Sequence, residues 1–274
     1  MKTKRSLFHR FAASPYWIWS AMFIIAPLIV VVYFAFTNTK GAFTFDTIAS
    51  RASYGQTFAM SLSFSLIATT VCLLIGYPLA YCMSRMSEKS RNILVVLLML
   101  PMWISLLIRT YSLMTLLDNG GLISTFLQSI GLPKLAFIGT DAAVILGMIY
   151  DFLPYMVLPI YTSLVKIDKR YIEASADLGS NSFTTLRKII FPLTRPGIIS
   201  GITMVFVPSI STFYISQKLG GGSFDLIGDT IERQFQNQVT YHTGAAISLV
   251  MMILILVSLA IMNKFTDGEE EIIV

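Results

Sequence analysis

The sequence predicts an all-α membrane protein with about six transmembrane helices and both termini in the cytoplasm. Three observations carry this. Of 274 residues, 55% are hydrophobic and 13% charged, with a mean hydropathy of +0.71. The charges are bunched into short connecting stretches, leaving apolar runs of about twenty residues, the length a helix needs to cross about 30 Å of hydrocarbon. Lys and Arg are, in addition, distributed unevenly between alternate connections. That composition excludes an ordinary soluble enzyme. A net charge of +5 and a pI near 9.2 would suggest nucleic acid in a soluble chain, but in a membrane chain they signify basic cytoplasmic loops. The expected surroundings are a lipid bilayer, with no nucleic-acid partner.

The first run, 16–36, follows Lys2, Lys4, Arg5 and Arg10 and ends at Asn38-Thr39-Lys40. A signal peptide has an apolar region of about 7–15 residues and a small-residue cleavage site, so this longer run predicts an uncleaved spanning helix, with Pro27 positioned to kink it. Further spans are predicted over 58–83, 93–117, 142–165, 197–215 and 245–262, within one transmembrane domain covering 1–274. Pro208 interrupts the fifth, and Ser209, Ser211 and Thr212 make its second half polar, as expected of a helix lining a cavity. Fourteen of the 20 Lys and Arg fall on one side of these spans, five on the other, and Arg109 lies inside a span. The positive-inside rule then places both termini in the cytoplasm.

Cys72 and Cys82, ten apart in one apolar run, support neither a disulfide framework nor a zinc site, and His9 and His242 have no ligand-spaced partner. No metal and no catalytic residue is expected.

The longest basic connection, 166–196, reads as two short helices. Asp168 can cap the first, over 169–178, which carries Tyr171, Ala174 and Leu178 on one face, and Gly179 supplies a left-handed terminus. Ser182 can cap a second, with Phe183, Leu186 and Ile190 at the same spacing. Pro192 and Pro196 keep it from running smoothly into the next span. From the residues alone, this bent amphipathic hairpin is either an interfacial helix packed on its own bundle and the headgroups or a docking element.

From Glu173 the chain reads Glu-Ala-Ser, three residues, Gly179, nine residues, Ile189, one residue, Phe191-Pro192. This resembles the EAA loop of ATP-binding-cassette importer permeases, with Ser175 in place of the usual Ala and Phe191 in place of the usual Leu. The resemblance implies a type I importer permease fold and a coupling helix that docks on a separate ATPase subunit. It assigns the ATPase coupling to Glu173, Ala174, Ser175, Gly179, Ile189 and Pro192, with Ala174 close-packed and Gly179 making the bend. No GxxxxGK[ST] occurs in the chain, so no cofactor is expected here; ATP and magnesium would belong to the partner ATPase.

The likeness extends to Leu107-Ile108-Arg109-Thr110-Tyr111, to Tyr150 with Leu153-Pro154, and to Gly220-Gly221-Gly222 followed by Leu226-Ile227-Gly228. These resemble the PotB-type permease family of spermidine/putrescine importers, although Tyr241-His242-Thr243 stands where that family often has Trp-Pro. The resemblance implies a polyamine importer in a bacterial inner membrane. Its partners would be a second permease subunit in a heterodimer, two ATPase subunits and an extracytoplasmic polyamine-binding protein.

Two charges lie within predicted spans, Arg109 and Asp151, at depths of about 12 Å and about 13 Å by helix rise. They either pair to orient two helices, or Asp151 faces the pathway and attracts a protonated amine while Arg109 is held elsewhere. Trp103, Tyr111, Tyr150, Tyr155 and Tyr214 are candidate cation–π surfaces for a polyamine, and equally interfacial anchors or packing. The alternatives are a permease of the same superfamily for another solute, a self-contained ion-coupled transporter with Asp151 as its proton or sodium site, and a membrane enzyme. The last lacks any paired-carboxylate, Ser/His/Asp or HExxH constellation.

Overall fold

The computed structural model describes residues 15–38, 42–43, 54–130, 137–222, 224–237 and 239–270. The basic segment 2–10, His9, Lys40, Arg51, Lys134 and Glu271 lie outside the described residues. The secondary structure is helical, and the extended pairing among the described residues is a single bridge between Thr37 and Phe43. In chain order the helices are α1 (Pro15–Ala35), α2 (Gly55–Arg85), α3 (Glu88–Trp103), α4 (Leu106–Leu117), α5 (Leu122–Ser129) and α6 (Asp141–Val165). They continue as α7 (Lys169–Asp177), α8 (Ser182–Leu193), α9 (Arg195–Ser211), α10 (Tyr214–Leu219), α11 (Ile227–Gln236) and α12 (Tyr241–Glu270).

Among the described residues, four helices are long and apolar enough to span a membrane, or six if each of two bent pairs counts as one span. The region expected to form the third span, 93–117, is one of those pairs. Glu88–Trp103 and Leu106–Phe126 are inclined by 96°, with Ile104 and Ser105 in extended backbone between α3 and α4. Pro101, in the last turn of α3, removes one helical N–H and crowds the carbonyl four residues earlier, which ends the helix there. The second pair, Ser182–Leu193 with Arg195–Ser211, bends by 65° between Pro192 and Pro196. Pro27 and Pro192 share one accommodation. Each is preceded by a π turn, Ala21–Ile25 and Leu186–Ile190, that contains the carbonyl four residues back and widens the helix where the ring would strike it.

The fifth span also differs from expectation. α9 runs through Pro208 to Ser211, and the 212–219 stretch turns into the separate α10. Ser209 is fully buried, and its hydroxyl donates to the Val205 carbonyl at 2.6 Å. The polar second half of α9 is thus partly satisfied by its own backbone rather than spread along an open cavity.

The chain divides into two compact units. One takes in α1, most of α11 and α12 through Leu254; the other takes in residues 55–229 and α12 from Ile255. In the first, Ala35 packs with Ala245, Ala246 and Leu249, and His242 Nδ1 lies 3.2 Å from the Phe34 carbonyl. Most of α1 keeps its apolar side chains exposed, as befits a lipid-facing helix. In the second unit, α2, α6 and α9 pack on one another around Met148, Met156, Val157 and Ile160. Met156 is the wedge: a Cβ on Gly76 of α2 would stand 3.0 Å from its Cγ, and one on Gly201 of α9 would stand 2.8 Å from its Sδ. Small residues let these helices approach closely, the usual means of cohesion where lipid supplies no hydrophobic drive.

Candidate functional site: a hairpin closed on itself and a buried ion pair

The α7–α8 hairpin is built from local capping. The Asp168 carboxylate accepts the Arg170 N–H at 3.0 Å, starting α7. At the other end the Gly179 N–H donates to the Ala176 carbonyl and the Ser180 N–H to the Ser175 carbonyl, which is the double closure of a Schellman motif. Gly179 sits at φ 76°, and a Cβ there would meet nothing within 4 Å. Glycine is therefore needed for its left-handed backbone and not for space.

The second cap is Asn181, one residue before the expected Ser182. Its side-chain oxygen accepts the Thr184 N–H at 2.8 Å from extended backbone, whereas Ser182 is already helical. Ser175 does more than replace an alanine. Its hydroxyl lies 2.8 Å from that of Thr185, both buried, tying α7 to α8.

With its capping groups and the Ser175–Thr185 pair bonded internally, the hairpin leaves an apolar face open. Leu178 is 87% exposed, and Tyr171, Ala174 and Phe183 are exposed beside it. Ala174 is thus not close-packed within this chain; its methyl group is presented outward, as is Glu173. Ile189 and Pro192 are half-buried. The hairpin is fastened to the bundle at its far end. The Tyr77 ring of α2 lies tilted against Phe191, centroids 5.7 Å apart, and its hydroxyl meets the buried Thr194 hydroxyl at 3.2 Å. Just beyond, a Cβ on Gly197 would overlap Ser163 of α6. Movement of the hairpin therefore has direct contacts through which to reach α2 and α6.

Inside the bundle the structure realises the first of the two arrangements for Arg109 and Asp151. Arg109 Nε lies 3.5 Å from Asp151 Oδ1, the side chains being 5% and 0% exposed. The Arg109 guanidinium also donates to the Asp151 carbonyl at 3.1 Å, and the Thr110 hydroxyl donates to Asp151 Oδ2 at 2.9 Å. A carboxylate so enclosed does not present a free charge to a pathway. It locks α4, immediately after the α3–α4 bend, onto α6. The five candidate aromatics are dispersed in environment. Trp103 is 76% exposed, with Tyr111 and Tyr150 also exposed. Tyr155 and Tyr214 are half-buried, the first against Phe152 and the second under the Lys218 ammonium at 5.5 Å.

One buried acid lies outside the predicted spans. Asp229 is 1% exposed, and its Oδ2 accepts the Leu226 N–H at 2.9 Å, while Ser61 of α2 accepts the Ile227 N–H at 2.8 Å. The two side chains cap the start of α11. Burial pushes the Asp229 carboxyl up to about 6, with Asp225 adding to the rise and hydrogen bonds from Ser216, the Leu226 N–H and Gln217 opposing it. The detectable signal was Leu226-x-x-Asp229, an acid at the third helical position, placed to reach back to the N-cap N–H. Among the described residues, no group of three or more His, Cys, Asp or Glu is arranged to hold a metal.

The chain as a whole is similar to known proteins. The family model described as "Binding-protein-dependent transport system inner membrane component" matches residues 72–268. The spermidine/putrescine transport system permease protein PotB of Haemophilus influenzae is 34% identical over 99% of this chain and 100% of its own length. That of Escherichia coli K12 is 36% identical over 86% of this chain and 89% of its own. In fold, a chain from the crystal structure of a bacterial alginate ABC transporter, in complex with an alginate pentasaccharide-bound periplasmic protein, superposes with a TM-score of 0.77 at 20% identity. That match covers 96% of this chain and 95% of the other. The chain is a multi-pass membrane protein that belongs to the binding-protein-dependent transport system inner membrane component family, the permease subunits of ABC importers.

Proposed function

We propose that the chain is one of two permease subunits in an ATP-driven importer of spermidine and putrescine, set in a bacterial inner membrane with both termini cytoplasmic. The α7–α8 hairpin carries this proposal, because its helix ends and the Ser175–Thr185 pair are bonded internally while Tyr171, Ala174, Leu178 and Phe183 face outward. Such a face fits a groove on an ATPase subunit. The substrate class rests on relatives named for spermidine and putrescine at 34–37% identity over most of the chain.

The complete importer would contain a second permease, two ATPase subunits and an extracytoplasmic polyamine-binding protein. ATP and magnesium would be held by the ATPases. Closure of the ATPases would shift the hairpin, and the contacts at Thr194, Tyr77 and Gly197 would pass that shift to α2 and α6. Two arrangements of the same bundle would then alternate between inward and outward access. The chain forms and breaks no covalent bond. Trp103, Tyr111 and Tyr150 are the exposed rings on which an ammonium group can rest. An ion-coupled transporter would need Asp151 as its proton or sodium site; the engagement of that carboxylate by Arg109 and Thr110 favours the ATP-driven alternative.

Uptake of labelled spermidine and putrescine by cells lacking this gene tests the proposal. The native chain should restore uptake, and Gly179→Pro, at normal membrane abundance, should not. Uptake independent of the gene would remove the substrate assignment, and uptake unaffected by Gly179→Pro would remove the coupling role.

A further inference from the structure

At the basic end of the second unit, a cavity of about 280 Å³ lies between the α2–α3 turn, the end of α6 and the coupling hairpin. Three cations from three elements line it: Arg85 in the last turn of α2, Arg91 in the first turn of α3, and Lys169 at the start of α7. Among the described residues that line it, none is acidic. Arg91 Nε is buried and has no hydrogen-bond acceptor among the described residues. Arg85 is held in place by Tyr81, whose hydroxyl it reaches at 3.3 Å and whose ring centroid lies 5.2 Å from its Cζ.

This arrangement is unfavourable while the cavity is empty. The first turn of a helix carries a partial positive charge and favours anions; here α7 begins with Lys169 and Arg170 and has no acid in its first turn, with Asp168 at its cap, while α3 carries Glu88 in the turn that holds Arg91. An anion in the cavity would meet three cations and give Arg91 Nε its missing acceptor.

The surroundings specify the anion. α2 and α6 are spanning helices that end at Arg85 and Val165, so the cavity sits at the level where headgroups lie. From Arg91, α3 continues with Ile93, Val96, Leu97 and Leu100, all exposed and spaced by three and four. That stripe is a track for acyl chains running from the cation cluster. The cavity volume lies just below the range of about 300–1,000 Å³ that encloses a whole drug-sized ligand, which fits a headgroup whose tails remain in the bilayer.

We propose that this cavity binds the phosphate of an anionic glycerophospholipid, with Arg85, Arg91 and Lys169 as its ligands. The bound headgroup bridges the α2–α3 turn to the hairpin and so ties the coupling element to the membrane surface. Lipid binding does not depend on which solute is carried, and its test is read separately from uptake.

The test is retention of phosphatidylglycerol by the purified, delipidated importer complex, measured by native mass spectrometry. Phosphatidylcholine is the neutral comparison and inorganic phosphate the competitor. The native complex should retain phosphatidylglycerol in preference to phosphatidylcholine, and excess inorganic phosphate should not displace it. Arg91→Gln and Lys169→Gln should each weaken retention about fivefold, the weight of one cation near an anionic surface, while Arg91→Lys should largely preserve it. Lys169 is exposed, so its variant reports on binding even if Arg91→Gln folds poorly. Equal retention by native chain and Lys169→Gln, or no preference for the anionic lipid, would overturn the proposal. Displacement by inorganic phosphate would overturn the lipid as occupant and identify a free-anion site.

Discussion

The α7–α8 hairpin and the interior of the bundle use polar side chains to opposite ends. In the hairpin, Asp168, Asn181, Ser175 and Thr185 close α7 and α8 on themselves, and the apolar residues are left outside. In the bundle, Arg109, Thr110 and Asp151 are sealed inside, with apolar residues facing the surroundings. The difference separates two roles. In the proposed role the hairpin face is shaped by groups that would not touch the partner, whereas a charge within hydrocarbon persists only by holding helices together. Substitutions should divide accordingly, with large stability losses in the bundle and small ones on the hairpin face, where function is lost instead.

The largest effect should come from Arg109→Met, which leaves the buried Asp151 without its countercharge at a cost of about 3–5 kcal/mol. Thermal unfolding of the purified complex reads this directly, and Arg109→Met combined with Asp151→Leu should recover most of the loss. A double variant no better than the single one would show that the pair does more than fasten α4 to α6.

Asp229 sharpens the contrast, being a buried acid held by hydrogen bonds from Ser216, Gln217 and the Leu226 N–H. Its folded pKa of about 6 lies above the ordinary 3.8, so between those values the native chain holds a proton that the unfolded chain has released. Stability should therefore fall as pH rises from about 4 to about 6 and stay lower above that. Asp229→Asn keeps an acceptor for the Leu226 N–H and should raise stability at neutral pH by up to about 3 kcal/mol. The gain should fade as pH falls through that window, visible as convergence of the two unfolding midpoints. Parallel pH profiles would contradict the buried-acid account.

A smaller effect is expected within the hairpin. Ser175→Ala removes the tie to Thr185, whose hydroxyl retains the Asn181 carbonyl, so the loss should be about 1 kcal/mol. Restoring alanine at this position tests whether the serine stabilises the hairpin or is incidental. The smallest stability change belongs to Leu178→Asp on the open face, within about 0.5 kcal/mol by the same unfolding measurement.

The hairpin was the most legible region of the sequence. Asp168 and Gly179 punctuate it, apolar residues recur at helical spacing, and all of its capping bonds are local. The one misplacement, Ser182 for Asn181, reflects two adjacent residue types that both cap well. The α3–α4 bend was not read, because an apolar run has the same hydropathy straight or bent; Pro101 was its only mark. For Arg109 and Asp151, helix rise gave matching depths but not rotation about each axis, and rotation decides between pairing and facing a pathway. Asp229 was passed over for a related reason. It follows the glycine turn at 220–222 and looks like a loop charge until Ser216 and Gln217 of α10 close on it.

The central claim is that the open face of α7–α8 is where an ATPase docks. The most direct measurement is ATP hydrolysis by the reconstituted complex, with and without polyamine-loaded binding protein, for the native chain and Leu178→Asp. The account predicts stimulation in the native complex and none in the variant, with the variant permease folded as stably as the native one and co-purifying with less ATPase. Full stimulation and normal ATPase retention by Leu178→Asp would contradict it.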